Sequence, residues 1–223
     1  QIVPTNVIGD EYIVMKGALN GNDKAFVLAT QNGTTVTVAG ANAGTINAGQ
    51  SMTVDIAAAS TYIQTSAPAY VLHLSGFGCE VGGAVLPPIV CTGSDQLGFT
   101  RSTNEQFALN LMTRSGNEGN FVVNGNAGLI NAGAFAPVPN TNGNWVAAQI
   151  YFNTTDIPVG QGSIISNTAG KFHMGIIHGS GGGGTRYGYF SKFNTVLPPV
   201  VANSIDVCDG DDLQLTADSD PGA

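Results

Sequence analysis

Apolar and polar residues alternate along much of the chain, and this pattern predicts β-strands. With period two, one face of a strand is buried and the other meets water. No segment shows helical periodicity over more than about two turns, too short to form a stable helix alone. The alternating positions that share a face are Val36 and Val38; Met52, Val54 and Ile56; Phe107, Leu109 and Leu111; and Phe172, Met174 and Ile176.

Asn-Gly pairs separate these segments. Asn and Gly tolerate the positive φ angles that tight hairpin turns require, so each pair predicts a chain reversal between strands. The fold class is therefore all-β. The pairs are Asn20-Gly21, Asn32-Gly33, Asn124-Gly125 and Asn142-Gly143.

An internal repeat organises the chain. Residues 42–49 read NAGTINAG and residues 126–133 read NAGLINAG, and seven of these eight positions match. Flanking segments are also similar (26–33 with 109–116, and 65–74 with 167–176), and each copy then reaches a Leu-Pro-Pro. We therefore predict two duplicated β-sandwich-like (jelly-roll-like) units packed together, residues 1–95 and 96–199, with their boundary near 90–105 and an insertion at 135–162 in the second unit.

After Pro199 the composition becomes acidic. We interpret residues 200–223 as a linker and the truncated start of a further Ig-like domain. The aspartates there offer hard oxygen ligands suited to Ca²⁺. A solvated domain junction is the competing interpretation, because no EF-hand spacing is present. The aspartates concerned are Asp209, Asp211, Asp212, Asp218 and Asp220.

Charge excludes two classes of partner. The net charge is −8 with only seven Lys and Arg residues, so no basic surface for nucleic acid can form. An anionic membrane would repel the chain, and no apolar run reaches the roughly 18 residues that span a bilayer. Because residue 1 is Gln, we expect a segment cut from a longer polypeptide.

The three cysteines are an odd number, which in a secreted chain indicates a partner outside the segment or a free thiol. We predict a Cys79–Cys91 disulfide, if Gly82, Gly83 and Pro87-Pro88 turn the chain between them. A pair of reduced thiols is the alternative. The remaining cysteine, Cys208, would pair with a cysteine further along the polypeptide.

Catalytic and cofactor motifs are missing. No G-x-S-x-G elbow occurs. The G-x-G-x-x-G at Gly179–Gly184 lies in a polyglycine loop before a β-like segment, not before a helix. On a strand, His173 and His178 have opposite parity and cannot converge on one zinc ion. We therefore expect no cofactor and no enzymatic activity.

Several segments resemble a known family. Residues 11–14 (EYIV), 26–30 (FVLAT), 34–38 (TTVTV), 47–50 (NAGQ) and 186–191 (RYGYFS) are similar to the IgGFc-binding-protein N-terminal-like domain of large Bacteroidota surface proteins. The resemblance covers about residues 8 to 193. It implies an extracellular, multidomain adhesin, often exported by the type IX system and linked to gliding. The tail around Cys208 resembles the start of an Ig-like or PKD-like repeat.

Three functional hypotheses follow. The first is a non-catalytic cell-surface module that binds an extracellular glycan, a protein or the substratum, with Trp145 and Tyr151 of the insertion as exposed contacts. The second is a structural spacer of a surface filament that contacts only neighbouring domains. The third is a glycan-active enzyme. If Trp145 instead folds inward and fills the interface between the units, its replacement would destabilise the protein.

Overall fold

The computed structural model describes residues 3–193 and contains sixteen β-strands and three short 3-10 helices. No α-helix occurs among these residues, and no helix in them is long and apolar enough to cross a membrane. The all-β, sandwich-like fold predicted from the alternating pattern is confirmed. The 3-10 helices are Thr5–Val7, Glu118–Asn120 and Ala132–Ala134.

The first eight strands form one strongly bent sheet, which we call the first lobe. Its centre is β7, whose 19 residues run through the whole lobe. The first part of β7 pairs with β1 and β4, and the second part pairs with β3 and β8. The sheet therefore folds over on itself as two layers. The strands are β1 Gly9–Met15, β2 Ala18–Leu19, β3 Asp23–Ala29, β4 Thr34–Val38, β5 Ala41–Ile46, β6 Ser51–Ile56, β7 Ser60–Gly78 and β8 Glu80–Val85.

The remaining eight strands form the second lobe, a sandwich of two sheets. Five strands follow the order β12-β13-β10-β15-β16, and three follow the order β11-β14-β9. No strand pairing joins the two lobes among the described residues. The strands are β9 Gln96–Thr100, β10 Gln106–Arg114, β11 Phe121–Val123, β12 Ala136–Pro137, β13 Trp145–Tyr151, β14 Gly162–Asn167, β15 Phe172–Ser180 and β16 Gly184–Tyr189.

The two lobes share one pairing plan. In the second lobe, β14 pairs with β9 and β11. In the same way, the first part of β7 in the first lobe pairs with β1 and β4. The second lobe's β15 pairs with β10 and β16, and the second part of β7 correspondingly pairs with β3 and β8. The repeated NAG segments follow β4 and β11, and in each the Asn side chain (Asn42, Asn126) accepts a 2.8 Å bond from the amide two residues on. Descent of the lobes from one duplicated unit stays a prediction.

Each lobe buries its own hydrophobic core, built from the faces that the sequence pattern predicted. Val36, Val54 and Ile56 belong to the first core, with Val38 and Met52 packed against it. Phe107, Leu109, Leu111, Phe172, Met174 and Ile176 belong to the second core. At about 25 cal/mol per Å² of buried apolar surface, such faces are the main force holding each lobe together.

A third apolar cluster joins the lobes. Ile13, Met15 and Tyr62 of the first lobe contact Met112 and Trp145 of the second. The two lobes therefore share a buried interface, which fixes the walls of any site at their junction.

The predicted Cys79–Cys91 disulfide is wrong. Cys79 is a free, exposed cysteine, whereas Cys91 is not a free thiol. The prediction needed a turn at Gly82 and Gly83, but both lie inside the extended strand β8. Cys79 lies in the β7–β8 turn at one end of this strand. Six extended residues, at about 3.3 Å each, carry the chain away from it before residue 91. Cys208 and the predicted calcium ligands lie outside the described residues.

Candidate functional site

A polar pocket of about 280 Å³ opens at the junction of the lobes. The first lobe contributes side chains from β1 and β7, and the second contributes Arg114 and the loop that precedes β13. The pocket carries one carboxylate, one guanidinium and four side-chain amides. Its lining residues are Glu11, Tyr62, Gln64, Arg114, Asn140, Thr141, Asn142, Asn144 and Trp145.

The loop at residues 138–144 forms one wall, and it is held rigidly. Asn140, Asn142 and Gly143 have φ angles of 66°, 53° and 76°. Asn and Gly are the residues that adopt this left-handed region most readily, which explains the NTNGN sequence. The Thr141 hydroxyl donates to the Val138 carbonyl at 2.8 Å, and the Asn144 amide donates to the Thr141 carbonyl at 3.0 Å. The amide side chains therefore project from a fixed backbone.

Trp145 lies beneath this pocket and is only 5% exposed. Its prediction as an exposed contact is wrong, because its ring fills the apolar cluster between the lobes. Trp145 pairs across strands with Arg114, whose guanidinium lies 4.5 Å from the ring centroid. Arg114 is exposed. Its guanidinium packs on the face of the Trp145 ring, and its N–H donors remain available to the pocket.

His173 packs beside the Trp145 ring, with the ring centroids 5.7 Å apart. Burial, and to a lesser degree the positive charge of Arg114, lowers the pKa of His173 to about 4. The imidazole is therefore neutral at physiological pH. It is also 1% exposed, so it supports the pocket floor without reaching a ligand.

Glu11 and Tyr62 form the acidic side of the pocket. The Tyr62 hydroxyl donates a short hydrogen bond to the Glu11 carboxylate. Burial, and then this bond, raises the pKa of Tyr62 above its ordinary value. The phenol therefore stays protonated, and it orients a carboxylate that keeps free acceptor sites.

A second polar arrangement is buried under strand β16. His73 Nε2 lies 3.1 Å from the Asp23 carboxylate, and His73 Nδ1 lies 2.5 Å from the Tyr187 hydroxyl. Asp23 and His73 are 0% exposed, so no substrate reaches them. Because Tyr187 comes from the second lobe, this chain of hydrogen bonds fastens the lobes together. It also gives a structural reason for the RYGYFS segment.

Tyr151 is exposed as expected, at 53%, but it lies far from the pocket. It pairs with Ala108 at one end of the β10–β13 ladder, whereas Trp145 pairs with Arg114 at the other end. The structure therefore does not bring Tyr151 and Trp145 together. His173 and His178 point to opposite faces of β15, as predicted: His173 lies against Trp145, and His178 lies against Phe107.

Sequence reasoning missed Arg114, Gln64 and the buried Asp23–His73–Tyr187 chain. Within each of these two arrangements the residues come from separate strands, so no local spacing connects them. Only the NTNGN loop carried a usable signal, because three Asn residues around a Gly predict a rigid turn with outward amides. No group of three or more His, Cys, Asp or Glu side chains able to hold a metal occurs within residues 3–193.

Comparison with known proteins gives one match. Neither the curated proteins nor the solved structures contain a significant match to the chain. A protein-family model described as IgGFc binding protein matches residues 1–178, which is most of the chain. Its span includes the whole first lobe, the 138–144 loop and most of the second lobe. The chain therefore belongs to the IgGFc-binding protein family.

Proposed function

We propose that this chain is a non-catalytic recognition module of a large extracellular adhesin, and that it binds a glycan in the pocket between its lobes. Membership of a family named for binding supports a recognition role. The resemblance to Bacteroidota surface proteins supports a place on the cell surface. The observation that carries the proposal is the chemistry of the pocket lining.

The pocket lining matches the hydroxyl groups of a saccharide. Each sugar hydroxyl both donates and accepts hydrogen bonds, as do the side-chain amides of Gln64, Asn140, Asn142 and Asn144. Arg114 adds donors only, and an ionised carboxylate accepts only. With one positive and one negative group, the pocket favours an uncharged sugar over a polyanion.

Other ligand classes fit less well. Peptide recognition is usually anchored by a large side chain in an apolar, desolvated pocket, and no aliphatic side chain occurs among the described residues that line this one. Glycoside hydrolysis usually needs two carboxyl groups flanking the scissile bond, and within residues 3–193 the lining holds a single carboxylate, Glu11. These points support binding without turnover.

The pocket is already organised before a ligand arrives. The loop backbone is hydrogen-bonded, Tyr62 holds Glu11, and Trp145 supports Arg114. Preorganised groups lose little conformational entropy on binding, so even a small hydrogen-bonded ligand can gain useful affinity.

A glycan array probed with the chain, followed by calorimetry on its hits, tests the proposal. We expect at least one neutral oligosaccharide to bind. We also expect Arg114→Gln and Asn144→Ala each to weaken binding about tenfold, because each removes direct hydrogen bonds. The Asn144 side chain is exposed and its backbone φ is not positive, so its loss should leave the melting temperature nearly unchanged.

Arg186→Gln is the matched control, because Arg186 is an exposed arginine on β16 that does not line this pocket. It should bind the same glycan as the unmodified chain does. Binding that Arg114→Gln and Asn144→Ala leave unchanged would contradict the proposed site. An array with no glycan hit at all would contradict the ligand class.

A structural spacer is the second candidate, and the inter-lobe contacts favour it. The shared apolar cluster and the buried Asp23–His73–Tyr187 chain join the lobes into a stiff unit. Stiffness alone would suit a filament segment. The pocket variants separate the two functions, because a spacer would bind no saccharide.

A further inference from the structure

The sequence contains four Asn-Gly pairs, and all four are exposed to solvent. In such a pair the backbone nitrogen of the glycine can attack the side-chain amide carbon of the asparagine and close a succinimide ring. Glycine favours this attack, because it has no Cβ to obstruct the approach. The two atoms must also be able to meet, and neither group should be held by a hydrogen bond. The conformation of each turn therefore decides which pair reacts.

Two of the pairs are held in left-handed turns. Asn124 and Gly125 have φ angles of 51° and 81°, and Asn142 and Gly143 have φ angles of 53° and 76°. Each turn is closed by a backbone hydrogen bond, of 2.8 Å in the first and 3.0 Å in the second. In the left-handed region ψ is about +30 to +60°, which places the asparagine Cβ opposite the next amide nitrogen. The succinimide ring cannot close from this arrangement.

The third pair, Asn32-Gly33, is held by side-chain hydrogen bonds. The Gly33 amide donates to Asn47 Oδ1 at 3.0 Å, so the attacking nitrogen is occupied. Asn32 Oδ1 accepts from the Ala48 amide at 3.2 Å, which fixes the side chain that would be attacked. The neighbouring NAG segment therefore protects this pair.

The fourth pair, Asn20-Gly21, lacks each of these restraints. Neither residue has a positive φ. Within residues 3–193, Gly21 N donates no hydrogen bond and Asn20 Oδ1 accepts none. The Asn20 side chain makes one long contact, from Nδ2 to Cys79 Sγ at 3.5 Å. A Cβ added at Gly21 would meet no other described part of the chain within 4 Å, so water has open access to the pair.

We propose that Asn20-Gly21 is a site of spontaneous deamidation. Gly21 N forms a bond to Asn20 Cγ, and the side-chain nitrogen leaves as ammonia with the proton that Gly21 N loses. Water then opens the succinimide at one of its two carbonyl carbons. Opening at the side-chain carbonyl gives aspartate, and opening at the main-chain carbonyl gives isoaspartate, whose backbone runs through the former side chain. The reaction consumes water alone and is independent of glycan binding.

The isoaspartate product bears on the contact between the lobes. It adds one methylene to the backbone of segment 17–23, whose ends are joined because the Gly17 amide donates to Asp23 Oδ2 at 2.7 Å. The same oxygen lies 3.1 Å from His73 Nε2, in the buried chain of hydrogen bonds that reaches Tyr187. A longer backbone weakens the Gly17–Asp23 bond, so isoaspartate at position 20 should lower the melting temperature.

Incubation of the complete 223-residue chain in warm, mildly alkaline buffer, followed by peptide mass spectrometry, tests the site. We expect Asn20 to deamidate at least about tenfold faster than Asn32, Asn124 and Asn142. In the urea-unfolded chain the turns are lost, and the four rates should converge. Equal rates in the folded chain, or a folded chain in which Asn20 does not react, would overturn the proposal.

Gly21→Ala is the matched variant, because its Cβ hinders the attack and yet meets no described neighbour. It should slow deamidation of Asn20 at least about tenfold, and an unchanged rate would contradict the mechanism. Gly162→Ala, at another open position without a positive φ, is the control and should leave the rate unchanged. The purified isoaspartate form should melt below Asn20→Asp, which adds the same charge without lengthening the backbone. Identical melting temperatures would overturn the link to the contact between the lobes.

Discussion

Replacing Trp145 by alanine removes the largest side chain of the cluster that joins the lobes. The ring is 5% exposed and packs with residues of both lobes. Truncation of a buried Trp or Phe to Ala typically costs about 3–5 kcal/mol, because transfer free energy is lost and a cavity remains. The loss of the Arg114 contact adds about 0.5–1 kcal/mol at this exposed guanidinium. We therefore expect the free energy of unfolding to fall by about 4 kcal/mol.

Urea denaturation followed by far-UV circular dichroism measures this change. Fluorescence is unsuitable, because Trp145 is the only tryptophan and the variant loses it. For a protein of this size, about 4 kcal/mol corresponds to a fall of roughly 10 °C in the melting temperature. Trp145→Phe keeps part of the buried surface, so its effect should be intermediate.

Tyr151→Ala is the matched control. It truncates another aromatic residue of the same strand, but one that is 53% exposed. We expect a loss of less than about 1 kcal/mol, since exposed side chains contribute little to stability. If Trp145→Ala unfolds within about 1 kcal/mol of the unmodified chain, the inter-lobe cluster does not hold the lobes together, and the reasoning fails.

Two further predictions concern buried polar groups. Tyr187→Phe should lower the free energy of unfolding by about 1–3 kcal/mol in urea titrations, because it leaves His73 without a partner at Nδ1; a value near zero would show that this bond does not fasten the lobes. His173 is neutral in the folded chain, with its pKa lowered to about 4, whereas in the unfolded chain it takes up a proton near pH 6.5. Its contribution to stability is therefore present above about pH 6.5 and is lost as the pH falls towards about 4. Between about pH 7.5 and pH 5 the unmodified chain should lose about 2 kcal/mol more than His173→Leu, and parallel pH profiles of the two would contradict this assignment.

The strands could be predicted from the sequence, because the side chains that a strand buries recur at every second position. The alternating sets around Val54, Leu109 and Met174 face the two cores as expected. Asn124 and Asn142 take positive φ, each followed by a Gly with positive φ, as their Asn-Gly pairs indicated. These features depend on residues that are neighbours in the chain, where sterics and period two are decisive.

The candidate site was not predictable, because its parts meet only through strand order. Arg114 reaches Trp145 since β13 pairs with β10 in one register, and no spacing in the sequence fixes that register. The exposed role predicted for Trp145 failed for a related reason. The sequence predicts exposed contacts on the insertion, but strand β13 of the insertion joins the five-stranded sheet of the second lobe and turns the Trp145 ring inward. The predicted turn at Gly82 and Gly83 failed in the same way. Two adjacent glycines favour a turn, but here both lie within strand β8.

The dependence of the first lobe on Tyr187 has a consequence for the order in which the chain can fold. His73 and Tyr187 are 114 residues apart, so a ribosome synthesises the whole first lobe well before its last partner emerges. Until β16 arrives, the Asp23–His73 pair lacks its cover and the first core lacks Tyr189. Contacts this distant slow folding, because the chain loses loop entropy before it gains the contact. The first lobe is therefore synthesised first, but its packing is completed last. The nascent chain stays incompletely folded until β16 has left the ribosome.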